Sequence, residues 1–278
     1  MEALVENICQ AISHNRLNLP PLPETCLKVR TLLQHDNCSA RQLANVIAVD
    51  TALSARIMKV ANSALYARAQ SAGELHTAVQ RLGNRLVGSL VNGLAIMPLF
   101  SAAQKQHQET ASQIRQHSTA TAALAYALCQ RHKHLNVFES YIIAMLQNIG
   151  CTAILSYPGL PPQLSADPGT LHAFMVAQHI PIGSHLLRHW QFPASLIETQ
   201  QKHQHFFHTH SNRVNYLDII VAANAINGPL FPAQARATPA YSHIPALQRL
   251  HITEASLEVD MRTLTQGIQE ARYIFQTT

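Results

Sequence analysis

Between Asn136 and Pro158 the chain reads NVFESYIIAMLQNIGCTAILSYP, a stretch of helical length that is almost wholly apolar and is stopped by Pro158. A helix of that kind is stable in water only when other elements cover all its sides, so this segment demands a fold that wraps around it. The remainder can supply the wrapping. Of 278 residues 47% are hydrophobic, enough for one large core or two lobes, and only 10 are Gly, which favours long helices joined by short connections. The sequence therefore predicts an all-α protein. Within the same stretch stand two carboxamides, Gln147 and Asn148, followed closely by Gly150. Buried amides without partners cost free energy, so the fold must satisfy this pair, and here chemistry is to be sought.

Several function classes are narrowed by charge and composition. No continuous apolar run approaches the roughly 20 residues that cross a bilayer. The opening MEALVENICQAISHNRL is amphipathic and acidic, unlike a signal peptide, so a cytoplasmic protein without a membrane partner is expected. Cys9, Cys26, Cys38, Cys129 and Cys151 are odd in number and form no C-x-x-C pair, which predicts reduced thiols. A formal charge of +5 arises from 20 Lys and Arg against 15 Asp and Glu, without a basic stripe carrying interleaved aromatics. That argues against a nucleic-acid partner. Many of the 17 histidines fall near helix ends and in loops, where they read as solvated polar residues.

Helix signals recur along the chain. NLPPLPETCLKVRTLLQ sets a proline-rich entry before a face of Leu22, Cys26, Val29, Leu32 and Leu33. Ser39 with Gln42 forms a capping box, and Asp50 caps a helix whose stripe is Leu53, Ile57, Val60, Ala61 and Ala64. Asn62 and Ser63 close that helix as residues that bond their own backbone. Gly83 ends one helix and Pro98 stops another. QIRQHSTATAALAYALCQRH is a long alanine-rich helix with His117 at its middle, and YPGLPPQLSADPGT is a surface loop before a helix start at Asp167-Pro168. PIGSHLLRHWQF and PASLIETQQKHQH read as two helices, each opening on a proline, with Trp190 as a buried anchor. The division expected is a lobe over 1–104 and a bundle over 105–278, completed by residues 213–227 through Leu217, Ile220, Val221 and Asn224.

Taken together, LPPLPETCLKVRTLL, LANVIAVDTALSARIMKVANSALY, AVQRLGNRLVGSLV, HSTATAALAYAL and GSHLLRHWQFPASLIETQQKH resemble the HDOD family, the HD-related output domains of bacterial signalling. The resemblance runs from about Leu19 to about His205, and DTALSARIMKVANSA is its most specific part. It implies a helical bundle related to the HD phosphohydrolases, preceded by a helical lobe. In those hydrolases a histidine, a His-Asp pair and a later aspartate hold metal ions that activate water. The resemblance puts the first histidine on His117, the His-Asp pair on Gln147 and Asn148, and the last aspartate on Asn224.

Only one of the four types is retained. Neutral carboxamides supply one weak oxygen and no charge, whereas a dication that lowers the pKa of water needs carboxylates and imidazoles. No metal or other cofactor is therefore expected at His117, Gln147, Asn148 and Asn224, and Gln147 and Asn148 should form a hydrogen-bonded network with His117 where metals would sit. The pattern points to a non-catalytic signalling module acting through an unidentified signalling protein. The alternatives are an HD-type phosphohydrolase and a pocket for a small anion or nucleotide. KHQHFFHTH groups His203, His205, His208 and His210, which without nearby carboxylates reads as a solvated helix end and loop.

Overall fold

A computed structural model of the chain describes residues 1–20, 22–35, 37–63, 66, 70–101, 105–210, 213–231 and 239–275, and no strand occurs among them. They form two compact units, a larger one of Met1–Pro20 and Pro98–Gln269 and a smaller one of Pro21–Met97 and Glu270–Thr278. The division differs from a cut at 104. Helix α1 (Glu2–Ser13) counts with the larger unit because it buries Ile8, Ala11 and Ile12 there.

The smaller unit holds α2 (Glu24–Leu33), α3 (Ala40–Ile47), α4 (Thr51–Ala61), α5 (Leu75–Leu82) and α6 (Asn84–Ile96). Short polar residues start α3 and α4 as the sequence predicts. The Ser39 backbone N–H donates to Gln42 Oε1 at 2.9 Å while the Gln42 N–H donates to Ser39 Oγ at 3.2 Å, and Asp50 Oδ1 accepts from the Leu53 N–H at 2.9 Å. Gly83, at φ +80°, turns the chain between α5 and α6. Val29, Leu43, Ile47, Ile57, Val79 and Leu90 fill the core; Ala64, expected in the same stripe, lies outside the described residues.

Asn62 is the C-cap of α4 as expected, its backbone N–H turned to the Met58 carbonyl, but its side chain bonds elsewhere. Its amide accepts from the Ala72 N–H at 2.8 Å and donates to the Ala72 carbonyl at 3.1 Å, pinning backbone ten residues ahead. Arg81 completes the clamp on the carbonyls of Ala61 and Gln70, at 2.9 and 2.6 Å. Two further cations of α4 act on carbonyls near the far end of the sequence, Arg56 on Ile274 at 3.0 Å and Lys59 on Tyr273 at 2.9 Å. Helix C-termini leave such carbonyls without partners, and cations suit them.

The larger unit continues with α7 (Gln108–Cys129), α8 (Val137–Leu146), α9 (Ile149–Leu155), α10 (Pro162–Ala166), α11 (Pro168–His189), α12 (Ala194–Lys202), α13 (Tyr216–Asn227), α14 (Pro245–Arg249) and α15 (Leu257–Phe275), the last counting with the smaller unit from Glu270. The stretch Val137–Leu155 is 19 residues long with mean hydropathy 1.3, long and apolar enough to cross a membrane on those measures, which corrects the expectation that no apolar run approaches that length. Here it is 89% buried inside the protein and is the core the sequence demanded. It is also two helices and not one, because Asn148 leaves helical geometry at φ −102°, ψ 15°. Helix α7 packs along α8, α13 packs on both, and α11 packs on α9.

Three further expectations are revised. Helix α11 continues past Pro181, where a new helix was expected, since Met175, His179, Ile182 and Leu186 are buried on both sides of it and tertiary packing offsets the roughly 3 kcal/mol an interior proline costs. The expected loop at 157–170 contains α10, which buries Leu164. Trp190 is half-buried at the end of α11 instead of forming a core anchor. All five cysteines are free thiols, and burial pushes Cys26 up to about 11 and Cys129 to about 12.

Candidate functional site

The break between α8 and α9 opens the central helix at the two carboxamides. Gln147 is fully buried, and its Nε2 donates to Asn224 Oδ1 at 2.9 Å while Asn224 Nδ2 donates back to Gln147 Oε1 at 2.8 Å. Each side-chain carbonyl is thereby occupied by the other residue's N–H. Asn224 reaches this position because the box of Asn215 and Asp218 starts α13 and the Leu217, Ile220, Val221 stripe seats it. Gln200 of α12 extends the lattice. Its Oε1 accepts from Ser184 Oγ at 2.7 Å, and its Nε2 lies 3.4 Å from the carbonyls of both Gln147 and Ile180.

The expected network of Gln147 and Asn148 with His117 is not what forms: Gln147 takes Asn224 of α13, and His117 and Asn148 stand outside that pair. Asn148 is 3% exposed, and its side chain has no hydrogen-bond partner among the described residues. His117 is half-buried on α7 and tied to α13 by Asn227, whose amide nitrogen lies 2.8 Å from Thr121 Oγ1 and 3.3 Å from His117 Nδ1. The same amide nitrogen lies 3.2 Å from the His117 carbonyl, so its two N–H groups hold the backbone of α7 as well as the Thr121 hydroxyl. Asn227 was missed in the sequence, although its place three residues beyond Asn224 on one helix was a legible signal.

Two more histidines belong to the site. His203, read as solvated, is 2% exposed; its Nδ1 donates to the Gln200 carbonyl at 2.6 Å, and its buried Nε2 has no partner. His179 of α11 stands edge-on to it at 5.5 Å between ring centroids, with its Nδ1 2.8 Å from the Met175 carbonyl and its Nε2 3.3 Å from Gln204 Nε2. Burial holds His117 down at about 4, and burial with the neighbouring His179 holds His203 at about 3. Burial lowers His179 as well. The others of the predicted group differ: His205 is exposed, while His210 bonds Asp218 at 2.9 Å.

A stability consequence follows, with a definite sign. The unfolded chain takes up protons on these rings as pH falls through 6.5, whereas the fold refuses them until about 4 for His117 and about 3 for His203. Their stabilising effect is complete above pH 6.5 and is lost below it, by about 1.4 kcal/mol per pH unit for each ring. Urea unfolding at successively lower pH should show this slope, and His203→Gln should flatten it; an unchanged slope would place His203 in solvent.

The HD relationship implies metal at these positions, and the residues present do not fit it. The carbonyls of Gln147 and Asn224 are spent on each other, His117 Nδ1 faces an amide N–H, and among the described residues no group of three or more His, Cys, Asp or Glu is arranged to hold an ion. Neutral donors of this kind do not offset the dehydration of a dication.

Comparison with known proteins places these residues in context. Residues 19–206 match the family model described as the HDOD domain. An uncharacterized protein of Treponema pallidum (strain Nichols) is 23% identical over 273 residues, covering 94% of this chain, which spans about half (51%) of that relative's length. Among solved structures, a candidate metal-dependent phosphohydrolase of Shewanella amazonensis SB2B superposes with TM-score 0.76 at 24% identity, covering 99% of both chains. An HDOD domain protein of unknown function from Geobacter sulfurreducens gives TM-score 0.65 at 17% identity, over 98% of this chain and 100% of the other. At these identities the structures establish a shared fold.

Proposed function

The chain belongs to the HDOD family, and on that premise we propose that it is a non-catalytic signalling module of the cytoplasm, working through contacts with another protein, in which carboxamides occupy the positions where HD hydrolases hold metal. One observation carries this reading, the reciprocal bonding of Gln147 and Asn224 at 2.9 and 2.8 Å. It turns the oxygens a metal would need inward and crosslinks the α8–α9 break to α13. The surrounding imidazoles, kept neutral by burial, bring no charge to hold a phosphate, so the amide lattice serves the stability of the bundle.

The test uses full-length protein purified without a polyhistidine tag. Bound metal should be far below one per chain, manganese should leave the melting temperature unchanged, and hydrolysis of bis-p-nitrophenyl phosphate should stay at background. The triple variant Gln147→His, Asn148→Asp, Asn224→Asp buries carboxylates without counterions, so it should melt below wild type in chelator and recover when manganese binds the folded state. If manganese stabilises wild type as much as it does the variant, a phosphohydrolase reading replaces this one.

A further inference from the structure

Two histidine-rich stretches that the sequence separates meet at one end of the larger unit. Arg131-His132-Lys133-His134 follows α7, and His205-Phe206-Phe207-His208-Thr209-His210 follows α12. His134 Nε2 lies 2.8 Å from the Val214 carbonyl, and the Asn136 N–H donates to the Tyr216 hydroxyl at 2.9 Å, joining the two connections. Lys133, His134 and Arg213 are exposed, and Phe207, six residues before Arg213 on the connection that follows α12, is 66% exposed. A large aromatic at that exposure, flanked by donors, is the composition of a contact surface.

The carboxylates of this region are already engaged. Asp218 has a side chain only 1% exposed and holds Arg249 and His210, both at 2.9 Å; Asp260 pairs with Arg131 at 3.2 Å and Glu198 with Lys202 at 2.6 Å. Glu139 accepts from the Tyr216 hydroxyl at 2.8 Å. Lys133 and Arg213 make no ion pair among the described residues, so their charge is open to a partner. The same field is felt by the rings. His132 is lowered first by burial and then by His134, Arg131 and Arg213, and His208 first by burial and then by His210 and Lys202.

We propose that this face docks an acidic peptide segment of a partner protein, with Lys133 and Arg213 taking its carboxylates and Phe207 its apolar side chains. The proposal rests on the protein-contact reading above and names the chemistry of the partner. Its occupant is argued from charge complementarity: cations without carboxylates on the rim and one exposed aromatic, where a nucleic-acid surface would interleave several aromatics with the charges.

The experiment titrates full-length protein into a fluorescein-labelled peptide of glutamate and leucine, about ten residues long, against the same peptide with glutamine for glutamate, at low and high salt. Wild type should bind the glutamate peptide saturably and more weakly at high salt. Lys133→Glu with Arg213→Glu should weaken it by roughly tenfold or more, and Phe207→Ser should weaken it too, with melting temperatures unchanged because all three positions are exposed. No binding, equal binding of the glutamine peptide, or an unaffected charge-reversal variant overturns the proposal. Tighter binding of a single-stranded RNA of like length, lost in the same variant, overturns it in favour of nucleic acid. The titration is blind to metal and turnover, so its failure and the failure of the non-catalytic reading are separately visible.

Discussion

Gly150→Ala is expected to leave little or no folded protein. A methyl group on Gly150 would stand 1.9 Å from the carbonyl oxygen of His179 and 2.7 Å from its carbon, where no side-chain rearrangement can relieve the clash because both partners are backbone. Helices α9 and α11 would have to part. Overpacking that moves only side chains costs about 1–3 kcal/mol, and forcing two core helices apart costs more, against a total stability of about 5–15 kcal/mol. Soluble yield and denaturant midpoint measure it. Gly183→Ala is the graded comparison, since its methyl would first meet the movable Gln200 Nε2 at 2.9 Å and only then the Gly150 nitrogen at 3.1 Å. It should fold, less stably, with the Gln200 lattice disturbed. A Gly150→Ala protein of wild-type stability would mean that α9 and α11 do not cross here.

Arg249→Ala should cost about 3–5 kcal/mol, a large effect for a residue outside the core. Asp218 is 2% exposed, and its carboxylate is held by Arg249 Nη1 and His210 Nε2, both at 2.9 Å, and by the Asn215 N–H at 3.1 Å. Removing the guanidinium leaves a buried charge with one imidazole and a backbone N–H to hold it, and also frees the His210 carbonyl that Arg249 Nη2 binds at 2.9 Å. The double-mutant cycle discriminates. Asp218→Asn removes the charge that needs compensation, so Arg249→Ala in that background should cost much less. Equal costs in both backgrounds would mean that Arg249 acts by packing alone.

Much of this architecture was legible in the residues, for reasons that are local. Ser39 with Gln42, Asp50, Asp167 and Gly83 act through bonds or backbone angles a few residues away, and each sets a helix boundary where the sequence predicts one. The pairing of Gln147 with Asn224 was missed in favour of the neighbouring Asn148 and of His117, because two amides 77 positions apart announce a need for partners without saying which they take. His203 was misread since KHQHFFHTH is polar in composition, and nothing local distinguishes the one ring that turns under α11 and α12 from those that face water. The Asn62 side chain and Pro181 mislead in the same way: bonding to one's own backbone and helix-breaking are local tendencies, and here Ala72 takes the amide of Asn62 while the packing around α11 carries the helix through the proline.

The bond between Arg56 and the carbonyl of Ile274 joins residues 218 positions apart. A ribosome adding about 5–20 residues per second needs on the order of ten to forty seconds to travel that distance. Through most of that interval, once Ile96 has been added, α2 to α6 exist without the turn that buries Ala271, Ile274 and Phe275. Most of the smaller unit is made before residues 98–269 of the larger one, and its remaining part after them. Its nascent form therefore exposes an apolar seat to chaperones and to neighbouring chains for longer than any part of the bundle synthesised after it, and a slowly translated or prematurely terminated message should aggregate through this seat first.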